Sequence, residues 1–358
     1  MISAISLRRV AALCVAAPLL WAPAAFAQTG PSGIDRAIVT ATAPLSSKQQ
    51  ADLEAFASTW ADLLANPKNP RSLDDARRTL TEPLRDPAAT LVFRRAVAQA
   101  LLPKLEPIID GVDLQRAIHA VQVVRFLRTP EAVEALAGRL GADKNADVGK
   151  RLVIASTLVQ MLEDADLNPV QCDGIARTIT AAALKETSGM VMGGEIRALS
   201  SIARRPNLAA SSVELARLSQ ASILQSLVSS IGAKTDADPR MQSVPDLIVH
   251  LRGEYLAQGG PVQTKFGVAL APALVDVLAA ASKQWESARK DAQLMQAYAN
   301  AVAYAETLLR VIDPKVRANQ TPPTAEKAIA NAWDGDNHQA FDAEVAKWKT
   351  VVGQAPYR

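Results

Sequence analysis

The stretch TPEAVEALAGRLGADKNADVGKRLVIASTLVQML, Thr129 to Leu162, decides the predicted fold because it encodes two short amphipathic helices in succession. Thr129 is suited to cap the first helix, and Pro130 follows in the first turn, where its missing N–H costs nothing. Apolar residues then recur at steps of three and four up to Leu140, which places them on one helical face. Gly141 is predicted to take the left-handed position that ends the helix.

The second helix of this stretch is predicted to begin after Asn145 as its cap. Its inner face is formed by Val148, Leu152, Ala155, Val159 and Leu162. Two such helices joined by a short polar loop form a helical hairpin. One hairpin cannot bury both of its faces, so the sequence predicts that further hairpins flank it.

Flanking hairpins are visible on both sides of this stretch. Upstream, LQRAIHAVQVVRFL ends just before Thr129, as the second helix of an earlier pair should. Downstream, CDGIARTITAAALKETSG and MVMGGEIRALSSIARRP form the next pair. Equivalent apolar positions recur at intervals of roughly 35 to 40 residues, which is the range of helical-hairpin repeats.

The unit at 129–162 resembles a HEAT repeat. The resemblance lies in a proline-led first helix, a turn with an acidic residue, and a second helix with basic residues and spaced Ala and Leu. These features correspond to Pro130, Asp147, Lys150, Arg151, Ala155 and Leu158. LVFRRAVAQALLPKL is similar to another second helix of this kind, and the resemblance extends loosely over 70–232. It implies a stack of helical hairpins and says little about function.

The predicted fold class is therefore all-α, an irregular HEAT-like α-solenoid of helical hairpins with a C-terminal helical cap or extension. Aromatic residues make up 4% of the chain, strand-like alternation is absent, and alanine and leucine favour helix. The predicted divisions are a signal peptide at 1–27, a flexible segment at 28–46, the repeat region at 47–232, longer helices at 233–320, and a C-terminal helical segment at 321–358.

The N-terminus has the features of a secretory signal peptide. Arg8 and Arg9 precede an apolar run over 10–21, and Ala25 and Ala27 provide a small-x-small cleavage site. The alternative is an uncleaved anchor, but the run is shorter than the ~20 residues that span a bilayer. We expect export to a periplasm or the exterior, with no integral membrane segment after cleavage.

The cysteines and the charge exclude several classes of protein. Cys14 lies in the predicted signal peptide, so Cys172 has no partner for an intramolecular disulfide, and a packed cysteine is more common than a reactive one. The net charge of +3 without a dense basic block argues against nucleic-acid binding. The sequence leaves the oligomeric state open.

No metal or cofactor motif is found. The three histidines are far apart, and His250 with Glu254 is predicted to be a helix-surface pair rather than part of a metal site. The stretches DADLN at 164–168 and DGDNH at 334–338 lack the glycine and glutamate of a calcium loop, and we interpret them as turns and caps. We predict no cofactor.

A glycine cluster, Gly189, Gly193 and Gly194, starts one predicted helix. It can be read as an anion-binding turn or as a place where two hairpins approach closely. We favour close approach, because no preceding strand or following lysine indicates a phosphate loop.

The leading functional hypothesis is an exported, non-enzymatic scaffold or adaptor that binds a protein or peptide on the solenoid surface. The residues predicted to contact such a partner are three arginine doublets: Arg77, Arg78, Arg94, Arg95, Arg204 and Arg205. The alternative is a small-ligand or carbohydrate binder, or an unrecognised enzyme, with its site where the repeats meet the C-terminal helices. Aromatic residues available there are Trp285, Tyr298, Tyr304, Trp333 and Trp348.

Overall fold

A computed structural model describes residues 33–358, which fold into α-helices without any strand in that range. The predicted signal peptide at 1–27 lies outside the described residues. The helices are α1 (Arg36–Val39), α2 (Ser47–Ala65), α3 (Pro70–Arg85), α4 (Leu91–Asp110), α5 (Leu114–Arg125), α6 (Pro130–Ala137), α7 (Val148–Asp164), α8 (Pro169–Ala183), α9 (Gly189–Ala203), α10 (Ala210–Gly232), α11 (Val244–Leu256), α12 (Gly260–Lys283), α13 (Trp285–Ala288), α14 (Ala292–Val316), α15 (Ala328–Asp334) and α16 (His338–Val352), with a 3-10 helix at Pro239–Ser243. The all-α prediction is confirmed.

The quoted stretch forms α6 and α7, with small differences at their ends. Thr129 caps α6 by accepting a hydrogen bond from the Ala132 N–H. The helix ends at Ala137, earlier than predicted, and Gly141 does not take a left-handed conformation. Asp147 rather than Asn145 caps α7, because its carboxylate accepts from the Lys150 N–H.

Helices two apart along the chain pack against each other, which produces two rows. The first row contains α2, α4, α6, α8, α10 and α12, and the second contains α3, α5, α7, α9 and α11. Consecutive helices α2 with α3, α4 with α5, α6 with α7 and α8 with α9 connect the rows. Each apolar helix face is thus covered by its hairpin partner and by the next hairpins in the series.

The second-row helices α5, α7, α9 and α11 begin side by side along one edge. A methyl group on Gly149, near the start of α7, would lie 3.6 Å from Leu114 at the start of α5. Just before α9, Glu186 pairs with Arg151 in the first turn of α7. A methyl group on Gly189 would collide with Ser243, which immediately precedes α11. These contacts place successive helix starts next to one another.

Helix α12 lies at the centre of the C-terminal half and packs against α10, α14 and α16. It is long and apolar enough to cross a membrane, but 61% of its most apolar window is buried in the protein. That burial explains the apolar composition, since core helices are apolar on most sides. Pro272 lies inside α12 without ending it.

Within the predicted region of longer helices, the stretch 285–312, which we expected to form one helix, is divided between α13 and α14, because Asp291 caps a new helix. Helix α14 packs against α11, α12 and α15, and α16 packs against α12 and α15. Residues 33–46, part of the predicted flexible segment, contain α1, in which Ile38 and Val39 are buried. The carbonyl of Val39 accepts from the Thr90 N–H at 3.1 Å and ties this segment to the start of α4.

Candidate functional site

Apolar side chains are exposed along the edge where the second-row helices begin. We call this surface the loop edge and define it by Val112, Leu114, Val148, Leu152 and Met190. Leu114 and Val148 are the first residues of α5 and α7, and Met190 is the second of α9. Leu152 is half-buried, the other four are exposed, and Met190 is 63% exposed. Because these helix starts are neighbours, the apolar residues follow one another along one side of the molecule.

The loop edge leads into a cavity of about 600 Å³ between α7, α9, the 3-10 helix and α11. Its apolar wall is formed by Leu152, Met190 and Leu247, and its polar wall includes Arg197, Arg240 and Asp246. A volume of this size lies within the ~300–1,000 Å³ typical of ligand pockets. We call it the edge cavity.

The glycines of α9 allow neighbouring elements to pack closely beside this cavity. A methyl group on Gly194 would lie 2.7 Å from the Cβ of Ala155, so α7 and α9 approach as closely as side chains allow. Gly189 and Gly193 line the edge cavity, and both lie against neighbouring elements. A methyl group on Gly189 would collide with Ser243, and one on Gly193 would lie 3.3 Å from Leu247. The close-approach interpretation of the glycine cluster therefore describes Gly189 and Gly194, while Gly193 is in tight contact with α11.

Arg197 is the cation of the edge cavity that forms no ion pair in the described part of the chain. Its Nη1 atom would lie 3.5 Å from a methyl group on Gly193, so the guanidinium folds back over that glycine into the cavity. Arg240, in contrast, donates to Asp238 at 2.7 Å. Asp246, in the first turn of α11, is the acidic side chain of the cavity wall.

A second, smaller cavity of about 380 Å³ opens on the same edge, between the ends of α2 and α4 and the start of α5. It is lined by Ile108, Val112 and Arg116 among others. The guanidinium of Arg116 donates to the carbonyl of Ala65 at 2.6 Å, so it holds α2 to α5. This cavity extends the apolar surface of the loop edge toward the N-terminal hairpins.

The predicted arginine doublets are engaged within the molecule rather than gathered in one groove. Arg77 and Arg78 pair with acids one turn away on α3, and Arg95 lies 3.9 Å from Asp166. Arg94 donates to main-chain carbonyls at the ends of α3 and α5. Burial and the nearby Arg128 charge lower the pKa of Arg94.

The last doublet, Arg204 and Arg205, is also structural. Arg205 donates to the carbonyls of Leu162 and Ala165 at the end of α7. Arg204 pairs with the carboxylate of Glu254 on α11. As a partner surface the doublets stay a prediction. The contacts of Arg94, Arg204 and Arg205 hold neighbouring helices together, whereas Arg77 and Arg78 pair within α3.

The predicted surface pair of His250 and Glu254 is instead part of a buried polar cluster between α9, α10 and α11. Glu254 is 1% exposed and pairs with the buried Arg217 as well as with Arg204. The imidazole of His250 is 2.8 Å from the hydroxyl of Ser200. Burial lowers the pKa of His250, and this effect and the three nearby arginines outweigh the Glu254 carboxylate.

A second buried group of charges lies where α7, α8 and α9 meet. Arg151 and Glu186 form a two-bond ion pair at 2.6 and 3.0 Å. Glu195 is fully buried nearby, and neither of its oxygens has a hydrogen-bond partner in the described structure. Burial, together with the Glu186 carboxylate, raises the pKa of Glu195 to about 9, so this carboxyl is neutral at pH 7.

The aromatic residues considered for ligand stacking are mostly core residues. Trp285, Tyr298, Trp333 and Trp348 are buried, and Tyr304 alone among the five is exposed. The guanidinium of Arg289 lies between the rings of Trp285 and Trp333, at 3.7 and 4.2 Å from their centroids. These contacts fasten α13 to α15, so Trp285 and Trp333 serve packing, and Tyr304 is the one ring of the five that is exposed.

The remaining residues considered for catalysis or metal binding take part in packing, helix capping or internal ion pairs. The buried Cys172 has a raised pKa caused by loss of contact with water, which disfavours the reactive thiolate. Asn168 caps α8, and Asp336 pairs with Arg289. No group of three or more metal-binding side chains occurs within residues 33–358.

In comparisons with known proteins, no family model and no curated protein matches this chain. The site therefore rests on geometry alone. Sequence reasoning missed Arg197, although a signal was present. Gly189, Gly193 and Arg197 recur at steps of four on one helix, which places an arginine and two gaps on the same face.

Proposed function

We propose that this protein is an exported, non-enzymatic scaffold that binds a segment of a partner polypeptide along the loop edge. The observation that carries the proposal is the continuity of exposed apolar helix starts with the edge cavity, whose wall holds a cation that forms no ion pair with residues 33–358. In protein interfaces, most of the binding energy usually comes from a few apolar side chains that enter a pocket, and polar groups surround that pocket.

The scaffold proposal includes an irregular, HEAT-like α-solenoid. Its support is the alternation of two helix rows and the way one hairpin holds the next. Lys150 at the start of α7 donates to the carbonyls of Ile109 and Gly111 at the end of α4. Such stacking produces an extended surface composed of equivalent positions in successive hairpins, and the loop edge is a surface of that kind.

Export is part of the same proposal and rests on the sequence of the first 27 residues. Signal-peptide cleavage after Ala27 predicts a mature chain that begins at Gln28. Mass spectrometry of the protein recovered outside the cytoplasm tests this, and an intact Met1 on the exported protein would contradict it.

A small ligand in the edge cavity is the second candidate, and the cavity volume of about 600 Å³ is the observation that favours it. The C-terminal junction also has a cavity, of about 420 Å³, lined by Arg289, Met295 and Trp333. A polypeptide accounts for more of the exposed apolar surface. It could contact Val112 and Val148 outside the edge cavity, which a small molecule bound inside the cavity would not reach.

Site-specific photo-crosslinking in the producing cell tests the polypeptide proposal. A photoreactive amino acid is placed at Met190 or Val112 on the loop edge, and at Val170 on α8 as a control. Val170 is a matched control because it is also exposed and, like Met190, lies in the first turn of its helix, but in the other row. We expect one discrete polypeptide adduct shared by both edge positions and absent from Val170. Equal labelling from Val170, or none from the edge, would contradict the proposal.

A further inference from the structure

We propose that the edge cavity recognises a carboxylate of the bound segment, next to an apolar side chain, so that the partner is an acidic, apolar peptide. This inference rests on the proposed function and specifies the chemistry of its ligand. It is carried by the placement of Arg197 in a cavity of about 600 Å³ whose remaining wall is largely apolar.

The contrast between Arg197 and the neighbouring arginines supports an external anion. Arg204 and Arg217 share Glu254, and Arg205 donates to main-chain carbonyls. Arg197 has no hydrogen bond or ion pair from its guanidinium within the described residues, although it lies on the same helix as this cluster. A carboxylate can accept two parallel hydrogen bonds from one guanidinium, which gives orientation as well as affinity.

The shape of the cavity places apolar contacts around that guanidinium. A methyl group on Gly193 would lie 3.5 Å from Nη1 of Arg197 and 3.3 Å from Leu247, so the guanidinium and this leucine both lie beside Gly193, and Leu152 lines the same cavity. A carboxylate bound there would leave its neighbouring residue against Met190, at the point where the loop edge enters the cavity. The apolar wall lowers the local polarity and strengthens the charge–charge attraction.

Asp246 allows a second test of carboxylate recognition, because it is the negatively charged side chain of the cavity wall and Arg197 is a positively charged one. It forms no ion pair in the described structure, and it repels any carboxylate that enters the cavity. Electrostatic recognition therefore predicts opposite effects of the two neutralising substitutions. Arg197→Gln should weaken binding of an acidic peptide, and Asp246→Asn should strengthen it. A purely apolar pocket would respond to neither.

The experiment measures fluorescence anisotropy with two labelled nine-residue peptides, one of Leu-Glu-Ser repeats and one of Leu-Gln-Ser repeats. We expect the mature protein to bind the glutamate peptide at least tenfold more tightly than the glutamine peptide. Arg197→Gln should remove that preference. Arg177→Gln, an exposed arginine on α8 without an ion pair, serves as the matched control and should not change binding. Because Arg197 is exposed and makes no internal contact that holds the fold, its variant should unfold at the wild-type temperature.

The inference is overturned if both peptides bind equally, if neither binds, or if Arg197→Gln leaves the preference unchanged. The proposed function is judged separately, by crosslinking from Met190. If crosslinking from Met190 persists but the protein does not prefer the glutamate peptide, the scaffold proposal stands and the proposed recognition of a carboxylate is rejected. Loss of crosslinking from the edge would reject the scaffold itself.

Discussion

At the scale of single residues, the buried charges are the features that sequence patterns could not locate. Glu195 and Arg217 lie on helices whose sequences look like ordinary amphipathic helices. The charged neighbours of Glu195 are Glu186 and Arg151, and Arg217 pairs with Glu254 from a different helix. A single sequence shows which residues are charged but not which charges face each other across a hairpin. The pair His250 and Glu254 was predicted on the surface for this reason.

Glu195 makes stability fall as the pH rises. Its pKa is raised to about 9 in the folded protein, from an ordinary value of 4.5, because it is buried and close to Glu186. Its contribution is fully present below about pH 4.5 and is lost as the pH rises through 9, because the unfolded chain releases the proton first. Glu195→Gln should therefore stabilise the protein at pH 8 by on the order of 2–4 kcal/mol, below the upper limit of about 5 kcal/mol that ~1.4 kcal/mol per pKa unit gives between pH 4.5 and pH 8.

Urea unfolding of wild type and Glu195→Gln between pH 5 and 9 measures this effect. The two curves should converge near pH 5 and diverge as the pH rises. Glu134→Gln, which changes an exposed glutamate on α6, is the control and should follow wild type. Parallel pH profiles for Glu195→Gln and wild type would show that this carboxyl is not held neutral.

The buried pair of Arg217 and Glu254 predicts a difference between single and double substitutions. Glu254→Gln leaves Arg217 buried without its carboxylate, which should cost about 3–5 kcal/mol. Arg217→Met with Glu254→Met removes both buried charges and should cost clearly less, because the charge left without its partner, Arg204, is 59% exposed to water. Unfolding free energies at pH 7 test this, and a double variant less stable than Glu254→Gln would contradict it.

At the scale of helices, the sequence predicted the elements well because their signals are local. Pro130, Thr129 and the spacing of apolar residues are sufficient to place α6 within a few residues. Helix ends were less accurate, since Asp147 and Asn145 are both good caps and the choice between them depends on how the loop packs. The break before α14 was missed, although Asp291 is a cap residue that could have signalled it.

The closest helix–helix approach predicts opposite effects for two glycine substitutions. Gly194→Ala should destabilise the protein by about 1–3 kcal/mol, because the new methyl group would lie 2.7 Å from Ala155 and would push α7 from α9. Gly174→Ala, on α8, meets no atom within 4 Å and should stabilise by about 0.5–1 kcal/mol through helix propensity. Thermal unfolding separates the two, and equal shifts for both variants would contradict the close packing.

At the scale of the whole molecule, the sequence predicted hairpins but not the surface they present. The spacing of apolar residues and the capping residues indicate that α6 pairs with α7 and α8 with α9. In the structure the two helices of each pair pack against each other. The stacking of the hairpins determines which helix starts are neighbours. The loop edge and the edge cavity therefore could not be predicted from the spacing of apolar residues in the sequence. The predicted arginine doublets illustrate the limit: the residue type was reasonable for a partner surface, but the fold uses Arg94 and Arg205 to join helices.

The central claim is that a polypeptide binds at the loop edge and the edge cavity, and hydrogen exchange tests it most directly. Exchange of the mature protein is measured by mass spectrometry with and without the Leu-Glu-Ser peptide. We predict slower exchange over 188–197 and 239–247, which form the cavity walls, and no change over α8, which carries the control residues. Protection centred on α8 or on the arginine doublets, or no protection at saturating peptide, would contradict the account.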